Sequence, residues 1–481
     1  MKTITRAITF NFGVALIVRV ITNLLGLVVI GLMTRHLGAE GFGQYSTVFA
    51  YLFIFSILSD MGLATFLTRE ISKNEGRQVE TTSLIFTLRL IMVIFASIIA
   101  IAIAWQIPSY PLAVRTGIAV GTIYVIGSSL VQVMSGIFQK YFKVYVISIA
   151  DVVTRVIQLG LVWFFITRGL ASPVRFVIVA ILAEAVHFMI VYLYARKLIA
   201  FRFQIDWTYW KSVLKSTFPI GLSLIFVLLY FKMDTVMLSI MSSAHDVGVY
   251  AVAYKVLEVV IFIPAMFVGL VMPLLSRNSS DIREFKKIFK PSFDFISALA
   301  VPAIILLFVL AEPITRLVGG PEFVESASAL RILAIAVFFI FYGNLTGNAI
   351  IALDLQKMSL IVYSLGALMN ITANYFLIPH YSYIAASWTT LGTEVFVTLG
   401  MFWVIYQKTG QLHSWKRFGP ICASALAMTA LVYPTRHNFI LALFLSLTYF
   451  IFLYLFRAFT RAELRSITSI KSFSQTTSTP E

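Results

Sequence analysis

The side chains able to do chemistry in this chain are ionisable groups set inside long apolar runs. Arg19 stands near the middle of the run 10–33, with Asn23 one turn on and no acid within a helical turn. Asp60 falls in the run 45–66 and Arg89 near the start of 84–105. Asp151, Arg155 and Gln158 are spaced i, i+4, i+7, and Glu184 and His187 are spaced i, i+3. Lys232 and Asp234 follow Tyr230, then come Tyr254, Lys255 and Glu258, and later Glu394. An ionised group at a bilayer centre costs roughly 2.5–3.5 kcal/mol on insertion scales. Each therefore needs a partner, a wet cavity or a ligand. An arginine there also offers two parallel donors to an anion.

Every site has a plainer alternative. Asp151 and Arg155 sit at helix-pair spacing, so a self-neutralising pair is preferred to a ligand site. A structural hydrogen bond is preferred for Glu184 and Glu394, and helix packing for His187. Arg89 is close enough to the interface to snorkel, and Lys255–Glu258 can be a local pair. Arg19 has no local acid, so function is preferred, with a tether to Asp60 as the structural alternative. Pro219, Pro264, Pro273 and Pro302 are candidate hinges.

The elements that must carry these groups are membrane helices. Of 481 residues, 59% are hydrophobic and 12% charged, and mean hydropathy is +0.91. Soluble domains average about 25% charged. A soluble globule, a disordered chain and a single anchor with a large domain are therefore excluded. At ~20 residues per span, that apolar content allows at most about 14 spans. The runs fall at 10–33, 45–66, 84–105, 116–138, 144–166, 175–195, 213–233, 247–275, 292–311, 327–350, 359–378, 383–406, 418–435 and 438–456. The first is read as an uncleaved span, since it is too long for a signal peptide and lacks a small-x-small cleavage site. The end of the polar tail after Arg457 is expected to be disordered. Cys422 is the one cysteine, which leaves no disulfide framework and no cysteine metal site.

Net charge is +16, but the basic residues alternate by loop. Arg69, Lys73, Arg77, Arg196, Lys197, Arg283, Lys286, Lys287 and Arg457 fall on one side. Arg35, Arg115, Arg168, Arg175, Arg316, Arg331 and Arg436 are the sparse set on the other. This is a positive-inside pattern with both termini cytoplasmic. The charge reports topology and anionic inner-leaflet lipid, not nucleic acid.

The two halves repeat. A-E-G-F-G-Q-Y (39–45) matches A-H-D-V-G-V-Y (244–250), with Gly43/Gly248 and Tyr45/Tyr250 at an offset of 205. F-Q-K-Y-F-K (138–143) follows the fourth run as L-D-L-Q-K (353–357) follows the tenth, and Glu184 matches Glu394. Three matches six spans apart imply two equally oriented six-helix lobes, 1–200 and 201–410, plus two further helices at 411–457 and a cytoplasmic tail, 458–481. The fold class is thus an all-α integral membrane protein of about 14 transmembrane helices. No P-loop, nucleophile elbow or metal-ligand spacing occurs, so no cofactor and no metal is expected. The loops are too short for a catalytic domain.

L-G-A-E-G-F-G-Q-Y (37–45), S-D-M-G-L-A-T-F-L-T-R-E-I (59–71), P-I-G-L-S (219–223), V-G-V-Y-A-V-A-Y-K (247–255), I-A-L-D-L-Q-K (351–357) and N-Y-F-L-I-P (374–379) resemble the polysaccharide-transporter family. That family shares a superfamily with multidrug/toxin exporters and the lipid II flippase. Where it usually has a glycine-containing turn, this chain reads H-Y-S-Y-I-A-A-S (380–387). The resemblance implies a flippase that moves undecaprenyl-pyrophosphate-linked oligosaccharide, such as an O-antigen repeat unit, across the cytoplasmic (inner) membrane by alternating access. It implies lipid-linked oligosaccharide and membrane lipid as partners, with contact to polysaccharide assembly proteins. Arg19, Lys232, Lys255, Asp60, Asp234, Glu258 and Arg89 are then the candidate substrate-binding residues. Two alternatives stand beside this reading. A cation-coupled multidrug exporter of the same fold would favour an acidic cavity, and a membrane polysaccharide polymerase would need acids in a long outer loop.

Overall fold

A computed structural model describes the backbone of residues 2–410 and 417–458, with side chains for 17–218, 221, 232–410 and 417–458. The tail expected to be disordered lies outside the described residues. The described chain is helical, without strands: α1 (Lys2–Asp60), α2 (Leu63–Lys73), α3 (Gln78–Gln106), α4 (Leu112–Lys140), α5 (Tyr145–Thr167), α6 (Pro173–Leu198), α7 (Trp207–Met241), α8 (Ala244–Arg277), α9 (Ile282–Val309), α10 (Ala311–Gly319), α11 (Ser326–Ala352), α12 (Gln356–Thr409), α13 (Phe418–Val432), α14 (Phe439–Ser446) and α15 (Thr448–Leu455).

Two elements are too long to be single crossings. At 1.5 Å per residue, the 59 residues of α1 would extend about 88 Å and the 54 of α12 about 81 Å, against a hydrocarbon core of ~30 Å. Each is broken by one left-handed residue, Gly38 (φ 65°) and Ser382 (φ 49°). Nine described stretches are long and apolar enough to span a bilayer, and two of them hold these breaks. With α7, α13 and the α14–α15 pair they make up the expected fourteen crossings. The protein is a multi-pass membrane protein. Helix entries carry local caps: Ser172 Oγ accepts from Arg175 N (3.3 Å) ahead of Pro173, and Asp206 Oδ1 accepts from Tyr209 N (2.9 Å).

Contacts divide the chain into two compact units. The first is Met1–Val259, Thr315–Ala329 and Leu360–Val397; the second is Val260–Ile314, Leu330–Ser359 and Thr398–Glu481. These units are drawn by contact and differ from the repeat-based lobes, which rest on sequence offsets.

In the first unit, the repeat glycines meet each other. A Cβ on Gly43 would sit 1.7 Å from Ala244 O, and one on Gly248 would sit 2.0 Å from Ala39 O. The two motifs thus cross backbone to backbone, each serving as the other's groove. Leu63, Leu67 and Ile71 of α2 are buried against Met134, Ile137 and Phe138 of α4 and Leu84 and Ile85 of α3. In the second unit, α13 buries Ile421, Ala425 and Met428 with Ala298 and Val301 of α9, and Tyr449 OH donates to Ala298 O at 2.8 Å.

Candidate functional site

Four of the sequence candidates gather around α7 and α8. Glu258 takes both lysines at once: Lys232 Nζ donates to Oε1 at 2.5 Å and Lys255 Nζ to Oε2 at 2.6 Å. The ammonium of Lys232 also lies 4.8 Å from the Tyr254 ring centroid, within cation–π range. The local Lys255–Glu258 pair does form, and Lys232 from the neighbouring helix makes it a triad with one net positive charge. The three side chains are 21–41% exposed, so they are reachable.

Asp234, two residues after Lys232, is 2% exposed. Asn370 Nδ2 and Asn374 Nδ2 donate to its Oδ1 at 2.9 and 2.6 Å. On Oδ2, Thr390 Oγ1 and Tyr250 OH donate at 2.7 and 3.2 Å. Four donors from α8 and both halves of α12 replace the water that this carboxylate gave up on burial. The side-chain oxygens gathered here are also of the kind that hard cations take. Sequence reasoning missed Asn370, Asn374 and Thr390. Two asparagines at i, i+4 in an apolar helix were the available signal, but which acid they face depends on tertiary packing.

Asp60 and Arg89 find each other. Arg89 Nη1 lies 2.9 Å from Asp60 Oδ1, and Nη2 donates to Gln132 Oε1 at 2.9 Å. The Arg89 side chain is fully buried and that of Asp60 is 14% exposed. Arg89 therefore does not snorkel to an interface; it holds the end of α1 where the chain turns through Met61 (φ 45°) and Gly62 (φ 78°). The Arg19–Asp60 tether is replaced by this pair, because α3 places a guanidinium directly on Asp60.

Arg19 instead lies within electrostatic reach of Asp151, together with Arg155 and His187. The expected Asp151–Arg155 pair is not what α5 presents. Arg155 Nη1 donates to Gln158 Oε1 at 2.7 Å, and Asp151 Oδ1 lies 3.6 Å from His187 Nε2. His187 Nδ1 is 3.4 Å from Glu184 Oε1, so the histidine sits between two carboxylates. The seven sequence candidates thus resolve into three groups: a lysine–glutamate triad, a caged aspartate and a charge clamp, with Arg19 apart in the Asp151 network. Among the described residues, no group of three or more His, Cys, Asp or Glu could hold a metal ion.

Long apolar helices, breaks that fold them back and charges satisfied inside the spans define a polytopic α-helical transporter fold. The chain belongs to the polysaccharide biosynthesis protein family, whose profile matches residues 8–279; a MatE profile matches residues 219–376. A putative O-antigen transporter from Shigella flexneri is 23% identical over 414 residues, covering 81% of this chain and 94% of that protein. The probable flippase AglR of Haloferax volcanii is 26% identical over 166 residues, 34% of this chain and 35% of its own. Among solved structures, lipid II flippase MurJ in an inward closed conformation superposes with TM-score 0.77 at 15% identity, covering 92% of this chain and 98% of that one. An inward-facing multidrug resistance MATE family transporter gives 0.64 at 15% identity, covering 80% and 94%. At these identities the structural likeness speaks for the fold.

Proposed function

We propose that the protein is a flippase for undecaprenyl-pyrophosphate-linked oligosaccharide, carrying a polysaccharide repeat unit across the cytoplasmic membrane by alternating access, with both termini cytoplasmic. The observation that carries this reading is the Lys232–Glu258–Lys255 triad. Its excess cation is half-exposed on membrane helices, where a lone charge is costly unless an anion visits it. A pyrophosphate can compete with Glu258 for both ammoniums, and Arg19 can add a bidentate guanidinium. The Asp60–Arg89 clamp is assigned to holding the α1–α2 turn, and caged Asp234 to holding α7 against α8 and α12.

The family match and the names of the relatives support transport over catalysis, which sets aside the polymerase alternative. The MatE match supports a second reading, a cation-coupled drug exporter. Such an exporter handles cations, and the two-to-one lysine excess in the triad opposes that.

Complementation decides between them. Expression in strains deleted for their own repeat-unit flippase, each making a different glycan, should restore surface polysaccharide in at least one. Drug resistance conferred without any restoration would overturn the flippase reading.

A further inference from the structure

A cavity of about 340 Å³ lies between α2 and α4. Its walls carry Thr65, Thr68, Arg69 and Ser72 from α2, and Ser135 and Gln139 from α4. The volume is at the small end of ligand pockets, roughly 300–1,000 Å³. The lining falls within or beside two sequence motifs, 59–71 and 138–143, that the lysine triad leaves unexplained.

The fold builds this pocket deliberately. The left-handed pair Met61–Gly62, fixed by the Asp60–Arg89 clamp, turns the chain out of the first unit's core and starts α2. Leu63, Leu67 and Ile71 fill one face of that short helix and are fully buried. The polar residues are thereby forced onto the other side. Gly136 lets α4 come close, since a Cβ there would lie 2.5 Å from Thr68 Oγ1.

The donors and acceptors are sorted. Thr68 Oγ1 donates to Ala64 O (2.9 Å), Ser72 Oγ to Thr68 O (2.6 Å) and Ser135 Oγ to Gln132 O (2.6 Å). These hydroxyl hydrogens are spent on their own helices, which leaves oxygen lone pairs as acceptors. Arg69 rests 5.9 Å over the Phe66 ring, and neither its guanidinium nor the Gln139 amide makes a hydrogen bond or ion pair among the described residues. They supply donors from opposite walls. An anion would be served by the donors and repelled by the acceptor oxygens. A polyol both donates and accepts, so it matches both sets.

We propose that this pocket is a docking subsite for the glycan of the cargo, with Arg69 and Gln139 donating to sugar oxygens and Thr68, Ser72 and Ser135 accepting from sugar hydroxyls. It deepens the flippase reading and rests on it. The positive-inside pattern puts α2 on the cytoplasmic face, where cargo loads. The glycan thus meets the protein at a place distinct from the lysines assigned to pyrophosphate.

The test uses the full-length protein in nanodiscs and two probes: oligosaccharide released by mild acid from the lipid-linked fraction of cells bearing the gene, and undecaprenyl pyrophosphate without sugar. Arg69→Ala and Gln139→Ala should each weaken glycan binding about tenfold and leave undecaprenyl pyrophosphate binding unchanged. Lys255→Ala should do the reverse. Ser135→Leu, which fills the cavity, should abolish glycan binding; melting curves like the wild type's will exclude unfolding, and Gln139→Asn serves as a milder variant. Glycan binding at wild-type strength in all pocket variants overturns the proposal. So does wild-type protein that binds the carrier but not the released glycan. Weakened binding of undecaprenyl pyrophosphate by the pocket variants, with glycan binding intact, would make the pocket an anionic headgroup site and also overturn it. Wild-type protein that binds neither probe instead brings down the flippase reading itself.

Discussion

Arg89 shows how a buried charge is made tolerable: it has Asp60 and Gln132 within 2.9 Å and no exposed surface. Removing one member of such a pair leaves the other charge buried and costs about 3–5 kcal/mol, whereas removing both costs less. Arg89→Ala should therefore sharply lower folded yield, and Asp60→Ala/Arg89→Ala should recover part of it. Quantitative membrane immunoblots of the two variants read this directly, and equal yields would dissolve the clamp. Arg19 makes the opposite case. It is exposed on α1 and is assigned to cargo. Arg19→Lys keeps the charge but loses the two parallel donors. Surface polysaccharide should fall while protein abundance stays near normal. Abundance and polysaccharide falling together would give Arg19 a structural role within the Asp151 network.

At the scale of elements, helix crossings and helix breaks decide the outcome. The Gly43–Gly248 crossing has no room for a methyl group on either side, since both clashes are with backbone. Gly248→Ala must separate the two helices, and a cost of about 1–3 kcal/mol is expected from overpacking of this kind. The melting temperature in detergent should drop. Gly76→Ala, where nothing lies within 4 Å, is the matched control. The break in α12 tells a second story. Ser382 occupies the left-handed region, a conformation that costs an L-residue roughly 1–2 kcal/mol. Its hydroxyl lies 2.7 Å from Ser242 Oγ, which itself donates to Asp246 Oδ2. Ser382→Ala keeps the strain and loses the bond, so it should melt below the wild type by an amount equivalent to about 1 kcal/mol. Ser382→Gly removes the strain and should melt above Ser382→Ala. Ser382→Ala melting at or above the wild type would mean that the turn is held by something other than this hydroxyl, and Ser382→Gly melting below Ser382→Ala would show that the position is not strained.

At the scale of the molecule, the C-terminal helices look like an appendage in the sequence, lying beyond the two six-helix repeats. In the second unit they are part of the core. Ile421, Ala425 and Met428 are fully buried, Arg417 Nη1 lies 3.4 Å from Asp294 Oδ2, and Tyr449 is bonded to α9. Truncation after Thr409 would bare the α9 surface that now holds Ala298 and Val301. Lipid would cover that apolar surface, so the loss is of close helix packing together with the Tyr449–Ala298 hydrogen bond and the Arg417–Asp294 pair. The truncated chain should therefore fail to accumulate. Normal accumulation with normal polysaccharide export would return these helices to the status of an appendage.

The all-helical class and the apolar spans were legible in the sequence, because both depend on local composition along the chain. Hydropathy over ~20 residues reports a crossing whatever its neighbours, and Gly43 and Gly248 could be aligned before anything was known of their contact. The partners of the charges were not legible. Asp151 at i, i+4 from Arg155 promised a local pair, yet Arg155 turned to Gln158 and Asp151 faced His187 on another helix. Asp60 was matched to Arg19 by sequence order, and α3 supplied Arg89 instead. Three of the four donors around Asp234 come from 136 to 156 positions away, and the pocket of Arg69 and Gln139 exists because Gly136 brings α4 close to α2. A side chain's partner inside a membrane is set by which helix faces it and at what rotation. That is a property of packing, and spacing along one helix does not contain it.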